Sequence, residues 1–156
     1  MNLEIVLTPL QQEAVNSLLG HLAVSPVAVI TGRAGAGKTT ILRMLQAAQG
    51  GVLLGAPQFV STRRAQGPAA IEETFFRMIE DALESHDLVL VDDLGLVTNA
   101  ARGGGHGRAH LLDAALTAIL AEARVSGKKL IFAVEEDIPW PIRRRGQIVE
   151  LTYLRD

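Results

Sequence analysis

Short, mainly apolar runs alternate along this chain with longer stretches in which apolar residues recur every three or four positions. Val27-Ala-Val-Ile-Thr31, Val52-Leu-Leu-Gly-Ala56, Leu88-Val-Leu-Val91, Leu130-Ile-Phe-Ala-Val134 and Ile148 to Tyr153 are of the first kind and read as strands, the first of them buried. The helical stretches lie before and between them. Thr8 has the form of an N-cap, Pro9 suits the first helical position and Gln11 can close a capping box. Leu10, Ala14, Leu18 and Leu22 then mark one face, with Gly20 as an early terminator. Ile41, Leu42, Leu45 and Ala48 form the next face, ending at Gly50-Gly51. An irregular segment, Pro57 to Gly67, precedes a helix from about Pro68 to Glu84 with Ile71, Phe75, Met78, Ile79 and Ala82 inward. Thr98 to Arg108, TNAARGGGHGR, reads as a flexible glycine-rich loop, followed by a helix from about His110 to Val125 carrying Leu112, Leu116, Ile119 and Leu120 on one face. Strands alternating with helices predict an α/β fold, a mainly parallel five-stranded sheet covered on both sides.

One connection in this pattern carries chemistry. Between the first strand and its helix, Ile30 to Thr40 reads ITGRAGAGKTT, in which Gly32, Gly37, Lys38 and Thr39 fit G-x-x-x-x-G-K-[ST]. Gly32, Gly35 and Gly37 let the backbone adopt conformations that a Cβ obstructs and let it approach a ligand closely. Successive N–H groups then cradle phosphate oxygens at a helix N-terminus, whose dipole favours anions. Lys38 is expected to reach the β- and γ-phosphates, and the Thr39 hydroxyl to sit on Mg²⁺. The expected nucleotide-binding set is Gly32, Arg33, Ala34, Gly35, Ala36, Gly37, Lys38, Thr39 and Thr40, with ATP or ADP as ligand.

The strand Leu88 to Val91 runs into Asp92-Asp93, the acidic pair expected opposite a phosphate loop. Asp92 is expected to hold Mg²⁺, directly or through water, and Asp93 to orient the attacking water. The pair also reads as a solvated turn at the end of a strand. His106 and His110 are four apart, but only His110 is expected to be helical, which leaves a metal site there poorly supported.

Composition narrows the class. At 156 residues with 48% apolar and 21% charged content, the chain reads as a single globular domain, 1–156. Its formal charge of −2 supplies no field to draw it to nucleic acid or a membrane surface. It has no cysteine, so disulfides and thiol chemistry are excluded. No apolar run approaches the ~18 residues of a membrane span, and the N-terminus lacks a signal peptide's pattern. A cytoplasmic location is expected.

Taken together, the segments resemble the large subdomain of an AAA+ ATPase from about Val27 to the last residue. VLLGAPQFVS is similar to the family's second strand and the segment after it. IEETFFRMIEDALESHDLVLVDDLGLV resembles the stretch leading into the Walker B strand. LLDAALTAILAEA with KKLIFAV resembles the helix and sensor 1 strand, and IRRRGQIVELTYLRD the segment with the arginine finger. The resemblance implies a P-loop NTPase three-layer αβα sandwich. It makes Asp92 the Walker B aspartate, puts Asp93 in the catalytic glutamate's place, sets Glu135 nearest the sensor 1 residue and Arg144 or Arg145 nearest the finger. Arg143-Arg144-Arg145 also reads as a solvated basic turn.

Four departures from the family shape the functional expectation. Asp93 is one methylene shorter than Glu. Glu135 replaces a neutral residue near the γ-phosphate. Ser61 to Gln66 holds no aromatic of the kind that grips polypeptide, and the chain stops at Asp156, before any helical lid. The leading expectation is an ATP-binding core with Mg²⁺-dependent hydrolysis, assembling with itself or a related subunit, with a protein substrate left open and nucleic acid not indicated. A nucleotide switch that binds without turnover is the alternative favoured by Asp93 and Glu135. LTPLQQEAV resembles the glutamine motif of superfamily 1 helicases, with Gln11 or Gln12 reading adenine; against a helicase lobe, the chain lacks a basic groove with stacking aromatics.

Overall fold

The computed structural model describes residues 7–33, 35–55, 58–59, 71–92, 106–135 and 138–150. Ten elements follow in order: α1 (Pro9–Leu22), β1 (Val27–Thr31), α2 (Lys38–Gln49), β2 (Val52–Leu54), α3 (Ile71–Ser85), β3 (Leu88–Val91), α4 (His106–Ser126), β4 (Lys129–Val134), α5 (Trp140–Arg145) and β5 (Gln147–Glu150). The strands form one sheet in the order β2-β3-β4-β1-β5, and every pairing is parallel. Strand β4 lies between β1 and β3, so the segments leaving these three strands emerge side by side along one edge of the sheet.

Strands β1, β3 and β4 are buried along nearly their whole length and so must be apolar there, which is why they stand out in the sequence, whereas β5 at the sheet's edge is largely exposed. Alternation then sorts their side chains between two layers. Val27 and Val29 of β1, Val89 and Val91 of β3, and Leu130, Phe132 and Val134 of β4 pack with Phe75, Met78 and Ile79 of α3, Leu116, Ile119, Leu120 and Ala123 of α4, and Ile142 of α5. Ala28, Ile30, Leu88, Leu90, Ile131 and Ala133 point the other way, onto Ala14, Val15 and Leu18 of α1 and Ile41, Leu42 and Leu45 of α2. Helices thus cover both faces, and the expected three-layer αβα sandwich is the fold the chain has.

Local rules account for the element ends. Thr8 caps α1 by accepting from the Gln11 N–H at 3.2 Å, and Gln11 Oε1 accepts from the Thr8 N–H at 3.0 Å, the complete capping box. Gly50 ends α2 with φ of 75°, and Gly127 turns the chain after α4 with φ of 72°.

Several expectations shift. Gly20 does not end α1, which runs two residues further to Leu22, because a single glycine weakens a packed helix without breaking it. Ala48 is exposed, on the outer side of α2, and Ala82 is only half-buried. The helix expected from His110 begins at His106, so both histidines are helical in backbone. Arg143-Arg144-Arg145, whose alternative reading is a solvated basic turn, lie at the end of a short helix, α5, whose Ile142 is buried. The second strand ends at Leu54, and the fifth begins one residue early, at Gln147. The expectations for 57, 60–70, 98–105 and 151–153 lie outside the described residues. Among the described residues no helix is long and apolar enough to cross a membrane.

Candidate functional site

The edge of the sheet where β1, β4 and β3 end gathers most of the expected site. Strand β1 delivers the chain at Gly32, whose N–H donates to Val134 O at 3.3 Å and so ties the start of the loop to the end of β4. The Ala36 N–H donates to Arg33 O at 3.0 Å, closing the loop on itself. Gly35 and Gly37 take φ of 81° and 98°, a region open to glycine and strained for other residues, so these two glycines are explained by backbone shape. Gly37 is the N-cap of α2 and offers no capping side chain, which leaves the first N–H groups of that helix to an external acceptor. Lys38, the first residue of α2, bends back over the loop and its ammonium donates to Gly32 O and to Arg33 O, the latter at 2.8 Å. Thr40 is half-buried in the first turn of the same helix.

Across the edge, β3 brings Asp92 to the loop. The Asp92 N–H donates to Leu54 O at 2.7 Å, extending the ladder with β2, while Asp92 Oδ2 accepts from Thr39 Oγ1 at 2.7 Å. The two residues expected to hold Mg²⁺ are therefore in contact, presenting a hydroxyl and a carboxylate side by side at a helix start. Such hard oxygen donors fit a magnesium ion, which prefers one or two carboxylates with phosphate oxygens and water to an all-protein cage. Among the described residues no group of three or more His, Cys, Asp or Glu side chains is gathered. A cation at this place would rest on Thr39, Asp92 and its ligand's own oxygens.

Glu135 follows β4 directly, next to the Val134 carbonyl that holds Gly32, and it is exposed. It occupies the gap between the phosphate loop and Asp92 in strand order. Asp93 and Ala34 lie outside the described residues, as does the side chain of Arg145. Arg144 is not brought to this edge. It sits exposed near the end of α5, where Gly146 lies against Val27 and Val29 and Gln147 pairs with Ala28, at the opposite end of β1.

Gln11 is a neighbour of the loop that the motif does not announce. A methyl group built on Gly37 would overlap Gln11 Nε2 and come within 3.5 Å of its Cδ. The signal available in the sequence was the capping box, which explains why Gln11 is there but not what lies against it. Gln12, one residue on, is exposed and its Nε2 donates to Asn16 Oδ1 at 3.1 Å along the helix.

A parallel αβα sandwich with a glycine loop between its β1 and α2 has the P-loop arrangement. No family model matches the sequence, and no curated protein matches it. Solved structures do share its fold. A DNA replication initiation factor superposes with a TM-score of 0.59 at 18% identity, over 95% of this chain and 48% of that one. Domain III of the Thermotoga maritima replication initiation protein DnaA superposes with a TM-score of 0.56 at 17% identity, over 95% of this chain and 65% of that one. The chain thus spans roughly half to two thirds of the structures it resembles, and at these identities the likeness is one of fold.

Proposed function

We propose that the chain is an ATP-binding AAA+ core domain that binds ATP or ADP with Mg²⁺, hydrolyses ATP slowly and assembles through its nucleotide site with another copy or a related subunit. The observation that carries this is the meeting of Thr39 with Asp92 beside a glycine loop roofed by Lys38. In the resting loop the Lys38 ammonium is satisfied by carbonyls, and a nucleotide's phosphates offer it stronger, charged acceptors. The uncapped start of α2 supplies backbone donors, and Gly35 and Gly37 leave room for phosphate oxygens to approach them. A bound Mg²⁺ would neutralise phosphate charge, and Thr39 and Asp92 are the residues that would hold it. Asp93 is the group proposed to orient water, and its short side chain is the reason to expect slow turnover.

A second reading has its own support. Glu135 follows the Val134 carbonyl that holds Gly32, and a carboxylate turned toward the phosphates from there would oppose charge building on a transferring phosphoryl group. That favours a domain that binds nucleotide for assembly and turns it over poorly or not at all. We include no nucleic-acid partner, since the net charge of −2 supplies no attracting field.

The test is thermal unfolding with and without ADP or ATP and Mg²⁺, beside a steady-state ATPase assay. A ligand at 100 times its Kd stabilises by about 2.7 kcal/mol. The unaltered protein should shift, and Lys38→Ala should not, while unfolding at the same temperature without ligand. No shift at millimolar nucleotide would end the proposal. Binding without turnover would select the second reading.

A further inference from the structure

We propose that Gln11, far outside the phosphate-binding motif, is a positioning residue for the phosphate loop, pinned by the α1 cap and set against Gly37. The inference rests on the nucleotide-binding reading for its functional consequence, though not for its geometry. Gln11 is the third residue of α1, and its Oε1 accepts from the Thr8 N–H at 3.0 Å. With Oε1 held by the cap, Nε2 lies at the other corner of the same planar group. It would overlap a Cβ added at Gly37, so an added side chain would have to displace the amide. Gly37 is thus held to glycine by its φ of 98°, and the Gln11 amide fills the space beside it.

The support behind the amide is rigid. Ala14, Val15 and Leu18 of α1 share one buried cluster with Ile41, Leu42 and Leu45 of α2, so the helix that carries Gln11 is docked on the helix that starts at Lys38. Packing of α1 on α2 sets the distance, and the capping box sets the rotamer. Together they place a neutral, donor-bearing group against the residue that precedes Lys38. Its neutrality matters as much as its shape, since Glu is an equally good capping-box residue at this position yet would set a carboxylate against a loop built for phosphate. With Oε1 committed to Thr8, Gln11 braces the loop instead of presenting a free edge to adenine.

Two arms test this. The first needs no nucleotide. In Gln11→Ala, hydrogen exchange at the Ala36 and Ile41 amides, bonded to Arg33 O and Gly37 O, should quicken while the Leu18 and Leu45 amides keep their rates. Unchanged exchange at Ala36 and Ile41 would overturn the proposal, whether or not the protein binds nucleotide. The second arm uses Gln11→Glu, which keeps the cap and should unfold at the temperature of the unaltered protein. Its affinity for ADP, measured by calorimetry, should fall about tenfold from the unpaired charge near the phosphates, and its affinity for ATP should fall further. Full affinity for both in Gln11→Glu, with Lys38→Ala inactive in the same assay, would overturn the role of Gln11 and leave the nucleotide site standing. Quickened exchange with no nucleotide bound by the unaltered protein would support the brace and remove the nucleotide reading instead.

Discussion

The Thr39 hydroxyl donates to Asp92 Oδ2 at 2.7 Å, joining residues 53 positions apart at the point where α2 begins and β3 ends. Neither side chain means much alone. A threonine in a first helical turn and an aspartate after a strand are ordinary surface features, and only the parallel sheet makes them neighbours. Their contact gives the site a hydroxyl and a carboxylate for one cation, and it links the strand that ends in acid to the loop that takes phosphate.

Asp92→Asn separates charge from shape at this contact. The amide can still accept from Thr39 Oγ1, so the fold should hold and the thermal midpoint should stay near that of the unaltered protein. What should go is the advantage that Mg²⁺ gives to nucleotide binding. The Mg²⁺ concentration at half-maximal effect should rise on the order of tenfold to a hundredfold. Titrating Mg²⁺ at fixed ATP in both proteins measures it, and an unaltered midpoint would remove Asp92 from the cation site.

The core offers a prediction free of any functional reading. Phe132 is fully buried in β4 and packs in the layer formed by α3, α4 and α5. Phe132→Ala removes most of a ring from that layer and should cost about 3–5 kcal/mol in urea unfolding. Val125, by contrast, is 88% exposed, and Val125→Ala should change stability by no more than about 0.5 kcal/mol. A small loss for Phe132→Ala would mean that the layer collapses around the gap.

How much of this was legible in the sequence depends on what each residue's signal could carry. Strands β1, β3 and β4 were clear because burial on both faces demands apolar runs such as Val27 to Ile30. The phosphate loop was clear because Gly35 and Gly37 occupy backbone space closed to other residues. The start of α4 was not, since Gly107 beside a glycine run reads as loop, and the helix persists only because its later turns are packed. Helix α5 was hidden by Pro139 and Pro141, which suit a helix start as well as they suit a turn. Strand order left no local trace. That β4 separates β1 from β3, and so sets Glu135 between the loop and Asp92, is a property of the whole sheet. Gln11 on Gly37 is likewise tertiary, a contact between helices that no spacing rule announces.

Electrostatics predicts a pH response at one surface pair. Lys128 Nζ lies 2.9 Å from Asp87 Oδ1, and its hydrogen bond and then its charge hold the Asp87 carboxyl below its ordinary value of 3.8. A folded value below the unfolded one means that the stabilisation is present above the unfolded value and is lost as pH falls through the folded value. Asp87→Asn should therefore lower the thermal midpoint slightly at neutral pH, and the gap should close as pH falls through the lowered folded value, below which both states are protonated. The pair is solvent-exposed on the Asp87 side, so about 1 M salt should close the gap at neutral pH too. A gap insensitive to both would assign the loss to packing.

The arginines give the last prediction, and the sheet sharpens it. Arg144 precedes β5, whose Gln147 stands beside Ala28, whereas the phosphate loop leaves β1 after Thr31. Four residues of strand, roughly 13 Å at about 3.3 Å per residue, separate the two levels. Arg144 is thus poorly placed to serve the nucleotide of its own chain, and any role in phosphoryl transfer must come through a neighbour. An arginine delivered in trans stabilises charge on the transferring group and is worth orders of magnitude in rate. If Arg144 or Arg145 acts this way, ATPase activity per molecule must rise with protein concentration. Replacing both with Ala should lower turnover by at least about a hundredfold while leaving ADP affinity unchanged. Mixing that variant with Lys38→Ala should recover part of the activity, because the Lys38→Ala subunit still lends its arginines to an intact phosphate loop next door. Activity strictly proportional to concentration up to the highest soluble level, with no recovery on mixing, would make the arginines a solvated helix end and the domain a nucleotide binder that works alone.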